Sequence, residues 1–160
     1  MKPASNEGDS PRRDDSFDRK ISGIDFPSLI GNTEEEREMA WKILDSIGDS
    51  ICIQDRDFRV IFMNAKAKAL IGERIGSFCY EVFEGEKSIC PGCGMQKSFE
   101  DGKVHVTERT GQTPDGPIQV EITTSPLRDA EGEIVAAIEV VRDISRCRRD
   151  EEVIRMQRDF

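Results

Sequence analysis

Three of the five cysteines fall within fifteen residues, as Cys79-x10-Cys90-x2-Cys93. Pro91 and Gly92 stand between the last two thiols and bend the backbone so that both sulfurs can face one point. Three chemistries fit that pattern. Three thiolates are three of the four ligands of a tetrahedral metal site, with His105 or Cys52 as candidates for the fourth, which points to zinc or an iron–sulfur cluster. The Cys-Pro-Gly-Cys spacing also suits a reversible disulfide, and a helix opening after Cys93 would lower a thiol pKa. The third reading makes the cysteines small apolar fillers that tie down an irregular segment. His105 is the only histidine in the chain, which leaves a Ser-His-acid arrangement without prospect. Neither Gly-x4-Gly-Lys-Ser/Thr nor Gly-x-Gly-x2-Gly occurs, so nucleotide chemistry has no loop to work on. The expectation is a protein that is not an enzyme.

The elements that must position these thiols can be read from pattern. The chain of 160 residues is long enough for one core, not two. Residues 1–32 are rich in Ser, Asp, Arg and Pro and read as a flexible arm whose one apolar patch is Ile24, Phe26, Leu29 and Ile30. A capping box at Thr33 to Glu36 opens a helix with an apolar stripe at Met39, Ala40, Ile43, Leu44 and Ile47, giving a flanking helix over 33–48. Two β-rich runs, 50–55 and 59–63, form a hairpin around Asp55-Arg56-Asp57. Asn64 caps a short helix over 65–71 that stops at Gly72. The cysteines follow in a turn-rich, partly helical stretch, and then come strands over 103–110, 118–124 and 134–141. Two hairpin strands followed by three more imply an α+β fold, with a five-stranded antiparallel sheet and short helices on one face. A charged segment over 144–160 is a C-terminal helix candidate with i,i+4 pairs such as Arg148 with Glu152.

The stretch from Ile61 to Gly72 resembles the PAS family, in which the second strand ends on an Asn that caps the next helix. The stretch from Pro126 to Ser145, closing on Asp143-Ile144-Ser145, resembles the last PAS hairpin and its junction with a signalling helix. The resemblance covers about residues 38–145 and places a PAS domain at 49–143. It implies a sensory module that feeds a protein effector of histidine kinase, cyclase or regulator type. The Cys-Tyr-Glu-Val and Cys-Pro-x-Cys motifs are similar to a cysteine-bearing PAS subgroup. Haem is disfavoured because Gly94 stands where the His of Cys-x2-Cys-His would be and the helix over 95–100 lacks a histidine. Flavin is disfavoured because the late strands carry no Asn for its polar edge. A small-molecule pocket would be lined by Ile53, Phe62, Leu70, Phe83, Phe99, Val120, Ile122 and Ile138, residues more often plain core, since a domain this small needs most of its apolar side chains to stay folded.

Partner expectations follow from charge. The net charge of −9 argues against nucleic acid and anionic membrane. With no apolar run that could span a bilayer or lead secretion, the expected location is cytoplasmic. A homodimer is expected to pair through the capped N-terminal helix and the C-terminal helix. The alternatives to a sensor are an iron–sulfur or metal electron-transfer protein and a ligand-free dimerisation module.

Overall fold

Five antiparallel strands in the order β2-β1-β5-β4-β3 form one sheet. They are β1 (Ser50–Asp55), β2 (Val60–Met63), β3 (His105–Thr113), β4 (Gly116–Arg128) and β5 (Ile134–Asp143). The helices are α1 (Glu34–Ser46), α2 (Ala65–Ile71), α3 (Cys79–Glu84), α4 (Gly94–Asp101) and α5 (Ser145–Arg158). The computed structural model describes residues 29–113 and 115–158, and the side chains of Gln112 and Thr113 fall outside that description. Most of the arm expected over 1–32 therefore lies outside the described residues. Its last apolar pair, Leu29 and Ile30, packs against the core.

Local chemistry accounts for most boundaries. Thr33 caps α1 with the full reciprocal box, its Oγ1 accepting from Glu36 N while the Glu36 carboxylate accepts from Thr33 N. Asp55 Oδ1 accepts from the backbone of Asp57 and Arg59, closing the β1–β2 turn with Phe58 at φ +63°. Asn64, fully buried, does more than cap α2: its Oδ1 accepts from Ala67 N and Ile51 N, and its Nδ2 donates to the carbonyls of Leu44 and Asp49. One side chain thus joins the end of α1, the start of β1 and the start of α2.

The last three strands are longer than their residue patterns predict, because pairing across the sheet extends regular structure beyond intrinsic preference. Pro126 sits inside β4, where a missing N–H would ordinarily break a ladder. Pairing with β3 ends at Thr124, so Pro126 is bonded to β5 alone and its nitrogen faces no strand.

The two faces of the sheet bury different residues. On one, Ile51, Ile53, Ile61, Phe62 and Ala136 pack under Trp41 and Leu44 of α1. The Trp41 and Phe62 rings lie 4.5 Å apart. On the other, Cys52, Val60, Met63, Ala67 and Cys79 pack with Phe58, Ile71, Ile75 and Tyr80. Among the described residues, no helix is long and apolar enough to cross a membrane.

Candidate functional site

The cysteine segment folds over the second face. Cys79 opens α3 and donates its N–H to Phe58 O at 2.8 Å, which pins the helix start to the β1–β2 turn. Cys90-Pro91-Gly92-Cys93 is a tight turn in which Cys93 N donates to Cys90 O at 3.1 Å and Gly92 takes φ +70°. Pro at the second position and a positive φ at the third are the signature of a type II turn, and Gly meets the third requirement at no steric cost. Cys93 then becomes the N-cap of α4. Gly94, the first residue of that helix, lies so close to the sheet that a Cβ there would stand 3.2 Å from Thr124 Oγ1. Glycine lets α4 begin against β4.

All three cysteines face one small cavity of about 40 Å³. Tyr80, Phe83 and Glu84 of α3 close one side, and Thr107 and Arg109 of β3, Ile122 and Thr124 of β4 and Glu139 of β5 form the floor. Strand register explains the floor, since Thr107 pairs with Ile122 and Glu139 stands between Thr124 and Cys52. A cavity of this size holds about one to three waters or a small ion. Drug-sized ligands occupy pockets of roughly 300–1,000 Å³.

Electrostatics within the site centre on Arg109. Its Nη1 lies 3.0 Å from Glu84 Oε1, and Arg109 lines the cavity together with Cys90. Burial pushes the Cys79 thiol up, and the nearby Glu139 carboxyl pushes it further. Cys52 is raised for the same two reasons. Burial also raises Cys90, with Glu84 and Cys93 adding to it and Arg109 opposing. The lowering expected of a thiol beside the helix that opens after Cys93 is thus reversed at Cys90, where desolvation of the thiolate outweighs the attraction of Arg109. Glu139 is pushed up to about 7, chiefly by burial, and Arg109 holds it from going higher.

The expected ligands separate on inspection. Among the described residues, no group of three or more His, Cys, Asp or Glu side chains is placed to hold a metal ion. The thiols supply the donor types of a zinc or iron–sulfur site, and they share a cavity without converging on a common point. His105 reaches the same sheet face but binds Asp101, its Nε2 lying 3.1 and 3.0 Å from the two carboxylate oxygens. Cys52 is buried in the core beside Cys79.

The expected pocket residues divide more sharply. Phe83 and Ile122 line the cavity. Ile53, Phe62 and Ile138 belong to the opposite face, under α1, because alternation along β1 and β5 turns them away from the cysteines. Leu70 is exposed and lies outside the cavity, and Val120 is buried in the sheet without lining it. Phe99 packs edge-on against Phe58 at 5.6 Å, with Arg56 above it. Glu84, Arg109 and Glu139 escaped the sequence reading. A charged residue between Ile138 and Val140 in an otherwise apolar strand was the available signal for Glu139. Gln54 is also fully buried on this face, in register with Ala137, and neither its Nε2 nor its Oε1 has a protein partner. Buried amides of this kind are satisfied by ordered water or a bound molecule.

Beyond the cavity, the sheet meets the C-terminal helix. Ile144 N donates to Gln119 O and Gln119 N donates to Ser145 Oγ, both at 2.9 Å, so β4 holds the first residue of α5. Arg148 pairs with Glu108 of β3 and with Glu151, one turn on, and not with Glu152 as expected.

A family profile described as the PAS fold matches residues 44–149. No curated protein matches the chain in sequence. Among solved structures, the PAS domain of a protein from Colwellia psychrerythraea is similar with a TM-score of 0.56 and 19% identity, over 68% of this chain and 97% of that one. An RNA-binding light-oxygen-voltage receptor is similar with a TM-score of 0.59 and 18% identity, over 75% of this chain and 36% of that one. The VqmA dimer of Vibrio cholerae, described among LuxR-type receptors, is similar with a TM-score of 0.53 and 21% identity, over 64% of this chain and 48% of that one.

Proposed function

This chain belongs to the PAS fold family, and on that premise we propose that it is a sensory module whose input is the three-cysteine cavity and whose output is α5. The observation that carries this reading is that Cys79, Cys90 and Cys93 line one small cavity together with Arg109, Glu84 and Glu139. Polar and ionisable groups withdrawn from water lower stability unless paired, so their gathering around one cavity in a small domain marks a site selected for chemistry. The cavity size favours a redox, metal or very small molecular signal and disfavours haem and flavin. His105, the single histidine, lies outside the cavity lining and is engaged by Asp101, which favours sensing over general-base catalysis as the use of the site.

Output rests on a helix with little hold of its own. α5 has no buried residue, and Val153, Ile154 and Met156 are all more than half exposed. Its anchors are the Gln119 bonds and the Arg148–Glu108 pair, contacts that a small movement of the sheet would alter. Partners consistent with this arrangement are a second copy of the chain and a protein effector in cis or in trans. Solved PAS-fold relatives include a dimeric regulator.

Hydrogen exchange of the full chain tests the reading. Cys79→Ser, Cys90→Ser and Cys93→Ser together should change exchange in Ser145–Arg158 by several-fold while the strands stay protected. Unchanged α5 exchange in that variant, in both oxidising and reducing buffer, overturns the cavity as input. Ultraviolet–visible absorption and metal analysis of the same protein separate the signals. Stoichiometric zinc, or a charge-transfer band of an iron–sulfur cluster, would show that the thiols converge on metal.

A further inference from the structure

Resting on the sensory reading of the cavity, we propose that Cys90 and Cys93 form a reversible disulfide and that β3 carries its formation to α5. Two independent features bring the sulfurs within reach. The turn hydrogen bond from Cys93 N to Cys90 O holds the ends of a four-residue turn together. Such turns keep their first and last Cα within about 7 Å, and disulfides span about 4.4–6.8 Å between Cα atoms. Both side chains also face the same cavity, so neither has to rotate out of the protein to meet the other.

The chemistry needs an oxidant, and a small disulfide of the glutathione class supplies it. The Cys90 thiol gives up its proton to solvent, and its sulfur attacks one sulfur of the oxidant, breaking that S–S bond and expelling the first thiolate, which takes up a proton. Arg109, which lines the same cavity as Cys90, is placed to hold the thiolate. The Cys93 thiol, at the N-cap of α4, loses its proton and attacks the Cys90 sulfur of the mixed disulfide, expelling the second thiol. Two protein thiols are oxidised by two electrons and one external disulfide is reduced to two thiols. Reduction runs the same steps backwards.

The route to α5 lies in two adjacent residues. Arg109 faces the cavity, where it holds Glu84 beside Cys90, and Glu108 faces away from it, where it holds Arg148 of α5. Oxidation changes the Cys90 sulfur from a group whose charge the Arg109 guanidinium can hold into a bridged atom with little acceptor strength. Arg109 is then left to Glu84 and Glu139, and a shift of β3 at that residue is a shift of the Glu108–Arg148 pair. Cys79, deeply buried in the wall, takes no part in the exchange.

The test uses the full chain in glutathione buffers of graded oxidation, quenched by alkylation and read by peptide mass spectrometry, with hydrogen exchange on matched samples. The expected product is a peptide two hydrogens lighter that joins Cys90 to Cys93, with full recovery on reduction and with Cys147 still alkylated. Exchange in Ser145–Arg158 should differ several-fold between the two states, and Glu108→Gln should shrink that difference. A stable glutathione adduct, a bridge through Cys79, or free thiols at full oxidation overturns the disulfide while leaving the cavity as input intact. A Cys90–Cys93 bridge with identical α5 exchange overturns the relay, whereas the sensory reading on which this inference rests falls only if the triple-serine variant also leaves α5 exchange unchanged.

Discussion

The two faces of the sheet solve opposite problems. Under α1, the face built on Ile51, Ile53 and Phe62 is closed by Trp41 and carries aliphatic and aromatic side chains in dense contact. Under α3 and α4, the face is floored by Thr107, Arg109, Thr124 and Glu139 and roofed by thiols. The same five strands supply both, because alternation sends successive residues to opposite sides. Cys52 and Ile53 are neighbours in sequence, yet one meets Glu139 and the other Trp41's cluster. The difference teaches that stability and responsiveness are divided by residue parity along each strand. One face supplies apolar burial, and that leaves the other free to hold groups that folding alone would reject.

The comparison breaks if the faces contribute alike. Phe62→Ala should lower stability most, by about 3–5 kcal/mol, since it removes a buried ring and leaves a gap beneath Trp41. Chemical denaturation measures it, and a loss below about 1 kcal/mol would show that α1 closes over the gap or adds little burial.

Glu139→Gln sharpens the contrast on the other face. The carboxyl, raised from 4.5 to about 7 in the folded state, keeps its proton in a range where the unfolded chain has lost it. Folding therefore binds a proton between those two values, and stability falls as pH rises through that window before levelling above it. In the Gln variant the slope should flatten, leaving it more stable than the parent at pH 8 by about 1–3 kcal/mol. Urea titrations at pH 5 and pH 8 decide it, and a parent protein whose stability rises across that interval contradicts the buried, protonated carboxyl.

Arg148→Ala should be the mildest change, within about 0.5 kcal/mol of the parent, because both partners of its ion pairs are solvent-exposed. Its effect should appear instead as faster amide exchange at the start of α5. Equal loss of global stability would place α5 within the folding core.

Local elements were legible in the residues because their causes are local. The capping box at Thr33, the Asn64 cap, the β1–β2 turn and the strand–turn–strand pattern after Gly102 each depend on backbone groups a few residues apart. The five-stranded α+β fold followed from their order, and the Cys90–Cys93 turn followed from Pro91 and Gly92. Three features were decided only by tertiary structure. The side of the sheet on which Ile53, Phe62 and Ile138 are buried depends on where α1 docks. The meeting of Arg109 with Glu84 and Cys90 joins residues from three segments through strand register. The direction of the thiol and carboxyl shifts depends on how much water the packed helices exclude, a quantity set by the assembled layers and absent from any short stretch of chain.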